Sequence, residues 1–126
     1  MMPLQMRAWY SREQVMLDVV AINFDLDRVD CRRPADGCLG AILELDFEHV
    51  NVMFSTGLCA RDGQLIFDCD FLEFGKEPLI GWVVFHLGAF KIKTKANFYE
   101  FAIWAPDSLV IGNSYAQPEL YERLTE

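Results

Sequence analysis

A strict alternation of apolar and acidic residues runs from Leu43 to Glu48, and it constrains the fold more than any other feature of the chain. Successive side chains of a β-strand point to opposite faces of its sheet, so a period of two indicates a strand with one buried face. In an extended chain the apolar members share one face, and the carboxylates form an acidic row on the other: Glu44, Asp46 and Glu48. We therefore predict a strand with one solvated, negatively charged face.

Further runs of apolar and β-branched residues predict more strands, and short turn signals join several of them into hairpins. The predicted strands are Met6 to Tyr10, Val15 to Phe24, Val50 to Phe54, Leu65 to Phe67, Gly81 to Phe85, and Phe90 to Lys95. Asp62-Gly63 predicts a turn before Leu65 because glycine accepts a positive φ without steric cost. His86 to Ala89 predicts a second hairpin connection, and Lys91, Lys93 and Lys95 fall on one face of the strand that follows.

Three other segments complete the fold prediction. Asp25 to Gly40 is polar and contains proline and glycine, which favours a long loop or an insertion, and Asn97 to Trp104 is aromatic-rich and predicted to be extended. Pro118-Glu119 favours a short C-terminal helix with Leu120, Tyr121 and Leu124 on one face. The prediction is a mainly β (β-rich α+β) protein of antiparallel strands. The strands from Leu65 to Lys95 are numerous enough to curl into a small SH3-like barrel.

Length and composition indicate a single folded domain. The chain has 126 residues, of which 52% are hydrophobic, and ten are phenylalanine. That size suits one hydrophobic core rather than two independent ones, so we predict one domain over residues 1–126, divisible into two lobes at about residue 55. Trp9, Trp82 and Trp104, together with the phenylalanines, are predicted to pack in the core.

The charge balance narrows the classes of partner. The formal net charge is −8 and the pI is about 4.6, which disfavours direct binding of nucleic acid and favours a basic partner protein. The sequence contains no run of about 18 apolar residues, so no membrane span is predicted. The segment Met1 to Arg7 lacks the pattern of a secretory signal, so we expect a cytoplasmic protein with no membrane partner. Exposed strand edges could also pair between copies of the chain, so a homo-oligomer is a further possibility.

Residues able to support catalysis or metal binding are scarce. The chain has two histidines, His49 and His86, and neither stands in a recognised catalytic motif. Its four cysteines lack the spacing of a zinc site and are predicted to be reduced thiols: Cys31, Cys38, Cys59 and Cys69. We therefore expect no catalytic residue, no cofactor and no metal.

Two groups of carboxylates are the candidate partner-binding residues. Asp68 and Asp70 stand two apart, so in a strand they would project from the same face toward a cationic group; capping of backbone amides is the alternative. The acidic row could imitate the spaced phosphates of a nucleic acid and occupy a basic groove, or could simply keep an exposed strand soluble. Further carboxylates of this candidate surface lie upstream: Asp25, Asp27, Asp30 and Asp36. Both groups are concentrated in the first part of the chain, since 14 of the 19 carboxylates precede Pro78.

Several short motifs together resemble the YopX family of small bacteriophage and prophage proteins. They are Arg7-Ala8-Trp9, Thr56-Gly57-Leu58, Asp62-Gly63 with Leu65-Ile66, Asp68-Cys69-Asp70, Val110-Ile111-Gly112-Asn113 and Pro118-Glu119-Leu120. The resemblance covers Gln5 to Tyr121. Two positions depart from the family pattern: Cys69 stands where the family has glycine, and Cys59-Ala60 stands where it has a Lys-Asp step. The first departure places the usual turn geometry in question.

The resemblance implies a phage or prophage gene and action inside a bacterial host, and it supplies no reaction. We expect a non-catalytic accessory protein that binds a host protein and inhibits a defence or nucleic-acid-handling complex, in the manner of an anti-CRISPR protein. One alternative is a module that binds and sequesters a small ligand or nucleotide. A second is a weak hydrolase with dispersed catalytic residues.

Overall fold

The computed structural model describes residues 5–125, apart from the side chain of Cys38, and most of this chain is antiparallel β-structure. Predictions about Met1 to Leu4 and about the Cys38 thiol lie outside the described residues. The strands are β1 (Met6–Tyr10), β2 (Val15–Asn23), β3 (Arg28–Arg32), β4 (Leu43–Asp46), β5 (Val50–Cys59), β6 (Leu65–Phe67), β7 (Asp70–Phe74), β8 (Leu79–His86), β9 (Ala89–Lys93), β10 (Phe98–Glu100) and β11 (Leu109–Asn113). The predicted mainly β class is confirmed.

Helical structure is short. The α-helices are α1 (Phe101–Trp104) and α2 (Pro118–Thr125), and 3-10 helices occupy Pro34–Leu39, Phe47–His49 and Ala105–Asp107. The predicted C-terminal helix is present as α2, with the proline at its first position, where a missing N–H costs nothing. None of the helices in residues 5–125 has the length and apolar character needed to cross a bilayer.

The chain divides into two compact units, residues 5–54 and residues 55–125, called here the N-terminal and C-terminal units. In the N-terminal unit the strands lie in the order β4-β3-β2-β1-β5, each antiparallel to its neighbour. Its buried cluster is Ala8, Leu17, Val29, Cys31 and Val50. These side chains lie on one face because they alternate along paired strands, while Trp9 of β1 and Met53 of β5 are buried on the opposite face.

The C-terminal unit contains a sheet of order β10-β9-β8-β7-β11 and a separate pairing of the second half of β5 with β6. Its core cluster combines aliphatic and aromatic side chains: Ile66, Leu72, Phe74, Val83, Ile92 and Phe101, with Ala60 and Ala105. The Phe74 ring lies 5.2 Å from Tyr99 and 5.5 Å from Trp104, centroid to centroid. Tilted and edge-on aromatic pairs of this kind add to the stabilisation that burial provides.

The sheet of the C-terminal unit does not close into a barrel through the described strands. Its outermost strands, β10 and β11, are not paired with each other, and β6 pairs with β5 instead of joining β7, β8 and β9. The SH3-like closure considered for Leu65 to Lys95 is therefore wrong. Strand number permitted closure, but closure requires pairing between the first and last strands, which no local pattern encodes.

Three predicted segments differ from the structure. Asp25 to Gly40 is not a long loop, because it contains β3, whose Val29 and Cys31 are fully buried. Asn97 to Trp104 is extended only in β10 and then turns into α1. The strand predicted from Leu43 to Glu48 ends at Asp46, and a 3-10 turn follows.

Candidate functional site

The acidic row lies at the outer edge of the N-terminal unit. Glu44 and Asp46 belong to β4, the edge strand, and Glu48 lies in the 3-10 turn that follows. All three side chains are exposed, as the alternation predicts. Arg28 on β3 reaches Glu44, with 3.3 Å between Nη1 and Oε2, so part of the negative charge of Glu44 is balanced within the protein.

The 3-10 turn at Phe47 gathers carboxylates from two segments. The Phe47 N–H donates to the Asp27 carbonyl at 2.9 Å, which holds the β2–β3 turn against the end of β4. A surface depression of about 410 Å³ lies here, lined by Leu26, Asp27, Asp46, Phe47 and Glu48. Three of these lining residues carry carboxylates, so this depression is called the acidic depression below.

One ligand atom each from Asp46, Glu48 and His49 lies within 4.8 Å of the other two. The His49 Nε2 atom is 3.3 Å from the Glu48 Oε1 atom. Such a group of acceptors can surround a small cation or the charged head of a lysine or arginine. Asp46 and Glu48 are exposed, and carboxylates at a surface commonly occur together without a bound ion.

An apolar hollow of about 310 Å³ lies on the same unit. Its lining includes Ile22, Phe24, Val29, Phe47, Val52 and Phe54. The Phe24 and Phe47 rings meet edge to face, with centroids 6.0 Å apart. Phe24 is 75% exposed and Phe54 is 46% exposed, so two large aromatic side chains of this hollow are open to solvent.

Phe47 lines both the acidic depression and the apolar hollow, so the two are adjacent. Exposed aromatic side chains beside fixed charges are the usual composition of a protein-binding surface. Sequence reasoning identified the acidic row, with Asp27 among the carboxylates upstream of it, but missed Phe24 and Phe54. It assigned the aromatic side chains to the core and Asp27 to a loop, because periodicity cannot show which strand faces remain uncovered.

The other predicted carboxylate pair does not form a surface. Asp70 is 1% exposed at the start of β7, and its Oδ2 atom accepts the Phe67 N–H at 2.9 Å. Asp68 lies before β7 in a two-residue turn, so the two carboxylates do not share a strand face. The prediction that Asp70 contacts a partner is wrong. The capping of a backbone amide, the alternative reading, is what Asp70 does.

Cys69 occupies the second position of that turn with a φ of 66°, a value that glycine adopts more easily. Cysteine at this position therefore adopts a backbone conformation that favours glycine. Side-chain hydrogen bonds join the Cys69 thiol to Asp68, Ser114 and Tyr115. Burial, followed by the charge of Asp68, raises the pKa of Cys69, which disfavours the reactive thiolate. Burial likewise raises the pKa of Tyr115.

The remaining thiols and histidines show structural roles. Cys31, Cys59 and Cys69 are free thiols, in agreement with the prediction, and burial together with Asp30 and Asp18 raises the pKa of Cys31 to about 11. The Ser11 hydroxyl donates to the backbone carbonyl of His49 at 3.0 Å, not to its ring. The His86 ring stacks on Phe98 at 4.5 Å with an interplanar angle of 13°.

The motifs shared with the YopX pattern shape the backbone. Gly57 has a φ of 82° within the irregular pairing of β5 and β6, and the Thr56 hydroxyl donates to the Ile66 carbonyl at 2.8 Å. Gly63 has a φ of 89° in the turn before β6. These motifs specify bulges and turns, which explains why they predict a fold and no chemistry.

The Gly112-Asn113 motif has a similar role near the C-terminus. A Cβ atom on Gly112 would lie 1.7 Å from Gln117 Oε1, the atom that accepts the Asn113 N–H at 3.0 Å. The Asn113 Oδ1 atom accepts the N–H groups of Tyr115 and Ala116. A side chain at position 112 would displace the Gln117 amide from this hydrogen bond, and the asparagine turns the chain from β11 toward α2.

Comparisons with known proteins show a similarity of structure. No protein-family model matches the chain, and no curated protein is significantly similar to it. The structure is similar to the crystal structure of protein EF1440 from Enterococcus faecalis, with a TM-score of 0.64 and 23% sequence identity. The similarity covers 95% of this chain and 99% of that chain. At this level of identity it establishes a shared fold of equal extent, and membership of the YopX family stays a prediction.

Proposed function

We propose that this protein is a non-catalytic accessory protein that binds a basic partner protein with its N-terminal unit. The observation that carries the proposal is the shared position of Phe47, which joins an exposed acidic depression to an open apolar hollow. A partner segment with lysine or arginine beside an aliphatic or aromatic side chain would satisfy both parts at once. The apolar part would supply affinity, and the charges would supply orientation and a fast association rate.

The chemistry of the carboxylates supports a cationic side chain rather than an anionic ligand. Asp27, Asp46 and Glu48 line one depression, and the whole chain carries a net charge of −8. A phosphate group would be repelled from this surface, whereas a lysine or arginine head would be attracted. Proteins that handle nucleic acid present such basic surfaces, so they form the class of partner that the charge favours.

The biological setting in the proposal rests on the YopX resemblance. In that setting the gene belongs to a phage or prophage, the protein acts in the cytoplasm of a bacterial host, and its binding inhibits a defence or nucleic-acid-handling complex. An acidic surface that competes with nucleic acid for a basic groove would inhibit such a complex without any reaction.

A second candidate function is sequestration of a small ligand, and the apolar hollow is the observation that favours it. Its volume of about 310 Å³ falls at the lower end of the range of small-molecule sites. An apolar metabolite suits the lining better than a nucleotide does, because the adjacent carboxylates disfavour phosphate. A thermal-shift panel of apolar metabolites and nucleotides tests this candidate, since a ligand that binds the folded state raises the melting temperature.

Affinity capture from bacterial lysates tests the main proposal when the partner is then checked against surface variants. The test variant carries Glu44→Lys, Asp46→Lys and Glu48→Lys. The control carries Glu119→Lys and Glu122→Lys, which change exposed carboxylates of α2 in the C-terminal unit. We expect a basic protein that binds the wild type and the control, fails to bind the test variant and is released by salt.

Binding that survives reversal of the acidic row, with the β-sheet circular dichroism spectrum unchanged, would refute the proposed surface. Equal loss in the control would mean that the total charge matters and not this surface. Purified partner and titration calorimetry in two salt concentrations then give the affinity, which should fall as salt rises.

A further inference from the structure

The β8–β9 hairpin of the C-terminal unit presents an apolar tip to solvent. Its turn is Leu87-Gly88, and Leu87 is 91% exposed with a φ of 51°, while Gly88 has a φ of 84°. Two positive φ values in a two-residue turn are typical of the type I′ turn, which prefers asparagine or aspartate followed by glycine. A leucine there is unfavourable both for the backbone and for contact with water.

Phe85 enlarges this apolar tip. It is 65% exposed, and its ring meets Phe90 edge to face across the hairpin, with centroids 5.2 Å apart. The contact leaves the Phe85 side chain largely open while fixing its position. Leu87 and Phe85 therefore form a preorganised apolar projection, which would lose little entropy on insertion into a pocket.

The hairpin is also the most basic part of the chain. Between Glu77 and Glu100 there are three lysines, Lys91, Lys93 and Lys95, and no acidic residue. Lys91 forms an ion pair with Glu100 of β10, so Lys93 and Lys95 supply the net positive charge. Lys93 Nζ lies 4.6 Å from the centroid of the Phe98 ring, and Lys95 is exposed. An apolar tip followed by Lys93 and Lys95, at and just beyond the end of β9, is the chemical complement of an apolar hollow with carboxylates beside it.

We propose that the β8–β9 hairpin of one copy docks into the apolar hollow of a second copy of this protein. Leu87 and Phe85 enter the space between Phe24, Phe47 and Phe54, and Lys93 and Lys95 face the carboxylates of the acidic depression. The inference rests on the proposed function in one respect, which is that the acceptor is the same surface. The docking covers apolar side chains that both units otherwise leave in water.

Such an interface is heterologous, because the patch used on one copy differs from the patch used on the other. Every copy offers both a tip and a hollow, so association either closes into a ring or extends. Self-association also covers the surface that would bind the basic partner. The two events compete, and partner binding is strongest in dilute solution or when the tip is altered.

Sedimentation velocity over a wide range of protein concentration, in low and high salt, measures the association. Leu87→Asn introduces the residue that the turn prefers, so the fold is retained, and we expect it to weaken self-association at least about tenfold. Phe24→Asp alters the acceptor at a side chain that is already 75% exposed, and it should weaken association equally. Leu79→Asn is the matched control, a comparable change at a leucine 42% exposed at the far end of the hairpin.

Mixing the two variants gives the decisive observation. Leu87→Asn keeps an intact hollow and Phe24→Asp keeps an intact tip, so their mixture should form a one-to-one heterodimer although each alone stays monomeric. A monomeric wild type at all concentrations, unchanged association of Leu87→Asn or a mixture without heterodimer would each overturn the inference.

Partner capture separates this inference from the proposed function. Leu87→Asn should still bind the basic partner, whereas reversal of the acidic row should abolish both partner binding and self-association. If the wild type is monomeric while partner capture depends on the acidic row, only the self-association proposal is refuted. If the variants behave as expected in sedimentation while no basic partner is captured, only the proposed function is refuted.

Discussion

The buried clusters of the two units of this protein differ in their use of phenylalanine. In the C-terminal unit Phe71, Phe74 and Phe101 are buried, and Phe74 and Phe101 belong to a core cluster with aliphatic residues. In the N-terminal unit the buried cluster contains smaller side chains, while Phe24 and Phe54 are exposed around a hollow. Buried rings stabilise a fold, whereas exposed rings cost solubility unless something covers them.

The carboxylates of the two units also differ in exposure. Asp70 of the C-terminal unit is buried and accepts a backbone N–H, so it is a structural residue. The acidic row of the N-terminal unit is exposed on an edge strand. The contrast teaches that residue type alone does not assign a role here. Phe74 and Asp70 of the C-terminal unit are buried and support the fold, whereas Phe24 and the acidic row of the N-terminal unit lie at a surface.

The largest expected effect on the free energy of unfolding comes from replacing a buried phenylalanine, compared with replacing an exposed one. Phe74→Ala should destabilise the C-terminal unit by about 3–5 kcal/mol, because it leaves a cavity between Tyr99 and Trp104. Phe24→Ala in the N-terminal unit should cost less than about 1 kcal/mol, since that ring is mostly in water. Urea denaturation followed by tryptophan fluorescence measures both. Similar costs for the two changes would break the comparison.

A smaller effect on the free energy of unfolding is expected from replacing a buried aspartate, compared with replacing an exposed one. Asp70→Ala should cost about 2–3 kcal/mol, because the Phe67 N–H loses its acceptor in a buried position. Asp46→Ala should change the free energy of unfolding by less than about 0.5 kcal/mol. The same urea experiment applies, and a neutral Asp70→Ala would show that the buried carboxylate contributes nothing to stability.

Alkaline pH gives the next effect, through Cys31 of the N-terminal unit. Its pKa is about 11 in the folded protein against 9.0 for the ordinary thiol, first from burial and then from Asp30 and Asp18. The folded state therefore holds the proton more tightly, so stability is full below pH 9 and is lost as the pH rises toward 11. The loss should be roughly 1 kcal/mol at pH 10.

Cys31→Ala is the control for the pH experiment, because other groups also titrate in this range. Urea denaturation at pH 8 and pH 10 should show a smaller pH dependence for the variant than for the wild type. Identical pH dependence in the two proteins would refute the assignment to Cys31.

The smallest effect concerns the strained turn before β7. Cys69→Gly should stabilise the C-terminal unit by about 0.5–1 kcal/mol, since glycine accepts a φ of 66° without strain. Thermal unfolding monitored by circular dichroism is sensitive enough to detect it. A lower melting temperature would mean that the thiol contacts with Asp68, Ser114 and Tyr115 outweigh the backbone strain.

Sequence reasoning succeeded wherever the signal is local. The hairpin of β8 and β9, the turn at Gly63 and the start of α2 at Pro118 each depend on a few adjacent residues with restricted backbone angles. It failed for β3, although Val29 and Cys31 alternate with polar residues, because the nearby proline and glycines indicated a loop. It failed for α1 because aromatic residues favour strands unless tertiary packing decides otherwise.

For the candidate site, the sequence by itself determined the exposed acidic row, because alternation assigns side chains to one face of a strand or the other. The tertiary structure alone decided that Asp70 is buried, that Asp27 joins Asp46 and Glu48, and that Phe24, Phe47 and Phe54 surround a hollow. Periodicity is a property of neighbouring residues, whereas burial depends on which distant strands pair and which face nothing covers.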